Sequence, residues 1–221
     1  MAENIFYRAR RAAAALFTRR CVCCGRSFSG RQCVCSECAA GLVPADEPRG
    51  DFAACASYLY EGAARDVMLR FKFGEAPELC ADTLADWLCD GFDRHYGGES
   101  FDFAVSVPSF GERPRMELFV RDFAARRGLC YRPELLIKTR PTEKQHRLSA
   151  TERRTNLRGA FAASEAVCGK SILLVDDIFT TGSTVCECTA ALHAAGAKSV
   201  SVLTVLRAED KTEKIDNRKE K

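Results

Sequence analysis

Nowhere in the 221 residues does an uninterrupted apolar run approach the roughly 18 needed for a helix to cross a bilayer, which argues against a membrane span. The G-x-x-x-x-G-K-[ST] loop is also missing, which removes the nucleotide-hydrolase class. Charge of one sign is not in excess either. The 33 Lys and Arg stand against 30 Asp and Glu, for a net +3. A dedicated nucleic-acid-binding domain is generally more basic, so global charge selects no partner. There is no internal repeat. The N-terminal stretch "MAENIFYRARRAAAALFTRR" has only Ala12 to Phe17 as an apolar segment, bracketed by arginine pairs and followed by no small-residue cleavage site. It reads as a short basic helix of a cytoplasmic protein rather than a signal peptide.

What is present suits a globular protein: 47% hydrophobic and 29% charged residues. Three regions are expected. Residues 1–50 hold the basic helix, a cysteine cluster and the linker "LVPADEPRG"; residues 51–210 alternate strand and helix patterns; residues 211–221 form a charged tail expected to be disordered.

In the middle region "FAACASYLY" reads as a strand, and "GAARDVMLRFKF" and "PELCADTLADWLCDGFDRHY" as amphipathic helices. "FDFAVSVP" is a strand ended by Pro108, and "RMELFVRDFAARRG" a helix stopped at Gly128. "ELLIKT" is a further candidate strand. "SILLVDDI" is nearly continuous apolar, as in a parallel strand covered on both faces. "STVCECTAALHAAG" is a helix and "SVSVLTVL" a last strand. The alternation predicts an α/β fold: a parallel sheet with helices on both faces.

Thirteen cysteines are many, and six fall between Cys21 and Cys38. Clustering favours a metal site over a disulfide framework. Cys21 and Cys24 form one C-x2-C pair, Cys35 and Cys38 another, with ten residues between the pairs. Four thiolates in that pattern suit a structural zinc ion, with an iron–sulfur cluster as the rival. Cys23 and Cys33 are additional thiols, either of which could replace a proposed ligand.

The stretch "ILLVDDIFTTGST" carries the chemistry. Leu173 to Val175 are expected as strand, with Asp176 and Asp177 at its end and Thr180, Thr181, Gly182, Ser183 and Thr184 turning into a helix N-terminus. Ligands of parallel sheets bind at such a turn. Glycine permits close backbone approach, and the helix N-terminus favours a phosphate. The paired carboxylates would repel a phosphate but accept hydrogen bonds from a vicinal diol, such as that of ribose. One ribose-phosphate unit satisfies both parts.

"LLVDDIFTTGST" resembles the phosphoribosyl-diphosphate (PRPP) motif of type I phosphoribosyltransferases. Over residues 16–208 the chain is similar to the ComF family, which joins an N-terminal zinc ribbon to a phosphoribosyltransferase domain and is associated with DNA uptake in competent bacteria. "SYLYEGAARDVMLRFKFGE" matches that family's strand and first helix. Arg140, Thr142 and Gln145 match its R-x-T-x-x-Q segment, and Arg153, Asn156, Gly159, Ala160 and Phe161 its R-x-x-N-x-x-G-A-F segment. The resemblance implies a PRPP-binding phosphoribosyltransferase-like protein with an unnamed acceptor, structural zinc, and Mg²⁺ accompanying PRPP. It also implies that the turn "SVPSFGERPR" meets the pyrophosphate, making Arg113 and Arg115 candidates, although "RPRMELFVRDF" departs from the family's R-G-F-N-Q continuation. Lys138 to Arg158, with the lone His146, would be the loop that closes over the ligand. A competing expectation is a non-catalytic accessory that binds single-stranded DNA or a competence helicase through the ribbon and the basic loop.

Overall fold

The computed structural model describes residues 18–48, 54–109, 115–142 and 157–209. The basic helix, the tail, Arg113, Gln145, His146, Arg153 and Asn156 lie outside those residues.

Two short antiparallel strands, β1 (Thr18–Arg20) and β2 (Ser27–Ser29), lead to a one-turn helix, α1 (Ser36–Ala40). Next come β3 (Cys55–Leu59), α2 (Gly62–Phe73), α3 (Glu78–Tyr96), β4 (Phe103–Ser106) and α4 (Glu117–Arg127). Gly128 ends α4 in the left-handed region, φ 66°, where a side chain would be strained. A small antiparallel ribbon follows, β5 (Leu136–Lys138) with β6 (Phe161–Ala163). The chain closes with β7 (Ser171–Phe179), α5 (Ser183–Ala194) and β8 (Ser199–Arg207).

The central sheet has the order β3-β8-β7-β4, and its pairings are all parallel. Period-two alternation sends successive β7 side chains to opposite faces. Leu173 and Val175 join the cluster built by α2, α3 and α4, whereas Ile172 and Leu174 join that of α5. Helices therefore cover both faces, as expected. Trp87, Phe71, Phe119 and Phe123 are fully buried on the three-helix side. Burying one such side chain stabilises the fold by about 1.5–3 kcal/mol. The "ELLIKT" segment is not in the central sheet: among the described residues β5 pairs with β6 alone, and the position beside β4 is taken by an isolated bridge between Ala104 and Tyr131.

The cysteine segment joins the same core. Cys21, Cys33, Val34 and Cys35 belong to the cluster of α2, α3 and α4. The Cys33 amide donates to Thr83 Oγ1 on α3 at 2.8 Å. Arg31 donates to both oxygens of Asp86 at 2.6 Å, and Arg126 from α4 reaches Asp82, Asp86 and Asp122.

Candidate functional site

β7 carries the acidic pair, but the strand does not stop there. Asp176 pairs in register with Thr204 of β8 and the ladder continues to Phe179. The expectation that Asp176 and Asp177 terminate the strand is corrected. Parallel pairing with β8 outweighs the poor strand propensity of aspartate. The two carboxylates still lie toward the carboxyl end of the sheet, beside Ser106 at the end of β4, whose register partner is Val175.

Alternation gives the two aspartates different surroundings. Asp176 is 8% exposed. Burial, followed by the adjacent charge of Asp177, pushes its carboxyl up to about 7; the hydrogen bond from the Asp177 amide (2.8 Å) and the charge of Lys72 act in the opposite direction and do not offset it. Asp177 is partly exposed and accepts from Lys72 Nζ through both oxygens, at 3.0 and 2.9 Å. Lys72 belongs to the last turn of α2, and no local signal in the chain points it to this site. Below the pair, the Cys188 thiol of α5 is raised by burial and then by Asp176.

Beyond Phe179 the chain turns through Thr180, Thr181 and Gly182. Gly182 has φ 73° and is the N-cap of α5, a conformation open to glycine and strained for other residues. Thr180 and Thr181 are exposed, Ser183 is buried, and the Thr181 and Ser183 hydroxyls meet at 2.9 Å. The leading N–H groups of a helix have no acceptor within it, and the dipole adds partial positive charge there. The structure therefore brings the hydroxyl turn and the acidic pair together on one connection, with an anion-favouring end and an acceptor-rich end.

Arg115 is placed differently from expectation. Its Nη1 donates to the backbone carbonyls of Phe71 (3.0 Å) and Lys72 (2.5 Å), so it braces the end of α2. A helix's last carbonyls lack intrahelical donors, which accounts for the capture. Arg140 donates to the Arg158 carbonyl across the base of the loop at 3.0 Å. At the carboxyl end of β4 a cleft of about 390 Å³ opens between Ser106, Ser109, Met116, Leu136 and Lys138. Burial lowers the Lys138 pKa, and its ammonium lies 5.8 Å from the Phe161 ring centre.

The four expected ligand cysteines converge. The Sγ atoms of Cys21, Cys24, Cys35 and Cys38 all lie within 4.8 Å of one another. Cys24 and Cys35 are 3.7 Å apart, close to the edge of about 3.8 Å for a tetrahedron with metal–sulfur bonds of about 2.3 Å. The Cys35 amide donates to Cys21 Sγ at 3.4 Å. Burial raises the Cys21 thiol, but hydrogen bonds from the amides of Cys24, Cys35 and Cys23 outweigh it and bring the value down to about 6. The two additional thiols face elsewhere. Cys23 approaches the Ala63 carbonyl and is pushed up to about 12 by burial and then by the Cys21 charge, while Cys33 packs on α3 against Cys80. The four-cysteine cluster is able to hold a metal ion.

Residues 137–220 match the phosphoribosyl transferase domain model. The chain is similar to the DNA utilization protein YhgH of Salmonella typhimurium, 28% identical over 207 residues, covering 85% of this chain and 89% of the relative. It is also similar to the competence protein ComFC of Streptococcus pneumoniae, 28% identical over 158 residues, covering 69% and 67%. Among solved structures, the glutamine PRPP amidotransferase of B. subtilis aligns at a TM-score of 0.43 with 20% identity, over 62% of this chain and 30% of that one. Residues 137–220 thus match a phosphoribosyl transferase domain on a parallel sheet, behind a four-cysteine segment, in a chain similar to the proteins named YhgH and ComFC.

Proposed function

We propose that the chain binds PRPP or another ribose 5-phosphate, with Asp176 and Asp177 accepting hydrogen bonds from the ribose diol and residues Thr180 to Thr184 holding the 5-phosphate. One observation carries this reading: a buried carboxylate sits beside a second carboxylate, five residues before a left-handed glycine that opens a helix. Such a pair is costly to fold and is recovered through a ligand that needs two acceptors. The names of the relatives, a DNA utilization protein and a competence protein, extend the proposal to DNA utilisation or uptake, with DNA as the partner class.

Four thiolates leave no coordination position open, so a metal held there would be structural, and Sγ atoms within 4.8 Å of one another favour a single zinc ion that would hold the N-terminal knuckles in shape. Mg²⁺ would accompany the diphosphate of PRPP and neutralise it as pyrophosphate leaves C1. The chain's own residues orient the ribose, while the cleft beside β4 offers room for an acceptor. A second reading, ligand binding without transfer, is supported by Arg115, whose Nη1 is committed to backbone carbonyls instead of a leaving group.

Calorimetric titration with PRPP and ribose 5-phosphate tests the site. Asp176→Asn and Asp177→Asn should each weaken binding by about ten- to a hundredfold, the value of a hydrogen bond to a charged group. Unchanged affinity in both variants refutes the assignment. Pyrophosphate release on supply of an acceptor separates transferase from binding protein. Transformation efficiency in cells carrying both changes at normal protein level tests the uptake role, and the expected result is loss.

A further inference from the structure

The ribose reading leaves a charge problem at its centre. Two adjacent carboxylates face a ligand that carries phosphates at both ends, and Arg115 spends its Nη1 on the carbonyls at the end of α2. The described residues supply one cation in contact with the pair. Lys72 Nζ sits 3.0 and 2.9 Å from the two oxygens of Asp177, and its side chain is 34% exposed. This contact joins α2 to β7 across 105 residues of sequence. Its backbone is anchored, because Arg115 ties the carbonyls of Phe71 and Lys72 itself. The aliphatic stem can pivot while its root stays fixed.

A neutral diol entering Asp177 competes with the ammonium for the same two oxygens. An ammonium offers three donors, so displacement from one oxygen need not remove it from the site. The carbon next to the diol in a 1-diphosphorylated ribose carries the second anionic group. An ammonium held within hydrogen-bond distance of the diol's acceptor is therefore adjacent to that group as well. Without Lys72 the pair would present up to two negative charges to a polyanion, with no other cation among the described residues bonded to it, which disfavours the ligand.

Resting on the ribose-phosphate reading above, we propose that Lys72 is a specificity-determining residue: it bridges Asp177 and the anionic substituent at C1, so the site selects ribose phosphates that carry a second phosphate group there over ribose 5-phosphate. The arrangement uses a helix outside the matched domain, residues 137–220, to complete the site. Lys72 neutralises the acidic pair before the ligand arrives and the C1 anion afterwards.

The test is a titration of wild type, Lys72→Ala and Lys72→Arg with PRPP and with ribose 5-phosphate, in chelator and in Mg²⁺. Wild type should bind PRPP more tightly than ribose 5-phosphate in chelator. Lys72→Ala should lose roughly ten- to a hundredfold in PRPP affinity, the scale of a charged hydrogen bond, and leave ribose 5-phosphate within about threefold. Lys72→Arg should restore part of the preference. Equal weakening of both ligands, or none in either, overturns the selective role. Failure of wild type to bind either PRPP or ribose 5-phosphate has a different signature: it overturns the ribose-phosphate reading, and this inference with it.

Discussion

Replacing Asp176 by Asn should stabilise the fold at pH 8 while it weakens the ligand. The carboxyl is 8% exposed and its pKa is raised from 3.8 to about 7, first by burial and then by Asp177. Between those values the folded chain holds a proton that the unfolded chain has released. Stability from this group is therefore fully present below pH about 4 and is lost as pH rises through 7. The displacement is about three pH units, and at about 1.4 kcal/mol each the ionised group costs on the order of 4 kcal/mol above pH 7. Asparagine removes that cost and keeps an oxygen for the Asp177 amide now bonded at 2.8 Å. Its NH2 group has to be accommodated in a buried place, which takes back about 1–3 kcal/mol. The net gain at pH 8 is about 1–3 kcal/mol, or a Tm increase of roughly 2–10 °C for a chain of this size. At pH 5 the wild-type carboxyl is neutral and the gain should vanish or reverse. The assay is thermal unfolding of both proteins from pH 5 to 8 with zinc in excess, read as the difference between them. A difference that stays constant across this range, or a variant less stable than wild type at pH 8, refutes the reasoning. The opposite movement of stability and affinity would mark a residue kept for its ligand.

Three further outcomes are expected. The purified protein should carry about one zinc per chain, lost in Cys21→Ser and Cys35→Ser and retained in Cys55→Ser, as measured by elemental analysis. Gly182→Val should abolish ribose 5-phosphate binding in titration with a near-native circular dichroism spectrum, because φ 73° is strained for a β-branched residue and the added methyls crowd the helix N-terminus. Asp86→Ala should lower stability by roughly 2–4 kcal/mol in denaturant titration, since it strips partners from Arg31 and Arg126, whose side chains are only 20% and 11% exposed.

Much of this molecule is legible in its sequence wherever local signals agree. "GAARDVMLRFKF" is α2 from first residue to last, because its apolar spacing and the following Gly74 act together. The C-x2-C pairs name the four converging thiols because zinc-type knuckles are set by local turns. What is not legible depends on distant partners. The ladder from β8 carries β7 past its two aspartates, against their propensity. Cys33 leaves the ligand set because α3 offers Thr83 and Cys80, about fifty residues later in the chain. Arg115 reads as a site cation, yet the end of α2 captures it. Lys72 carries no signal of its own within its helical pattern, and only the tertiary fold sets it against Asp177.

The ionic lattice of Arg31, Asp86, Arg126, Asp82 and Asp122 has a consequence for modularity. A detachable metal module would have its own core and could be lost or exchanged without harm to its neighbour. Here the knuckles cover side chains of the same cluster that holds Trp87 and Phe123. A chain begun at residue 51 would uncover that surface and leave Arg126 and Asp86 without Arg31. The N-terminal segment and the sheet domain should melt in one cooperative step, so demetallation would be felt at β7, whose Leu173 and Val175 belong to the same cluster.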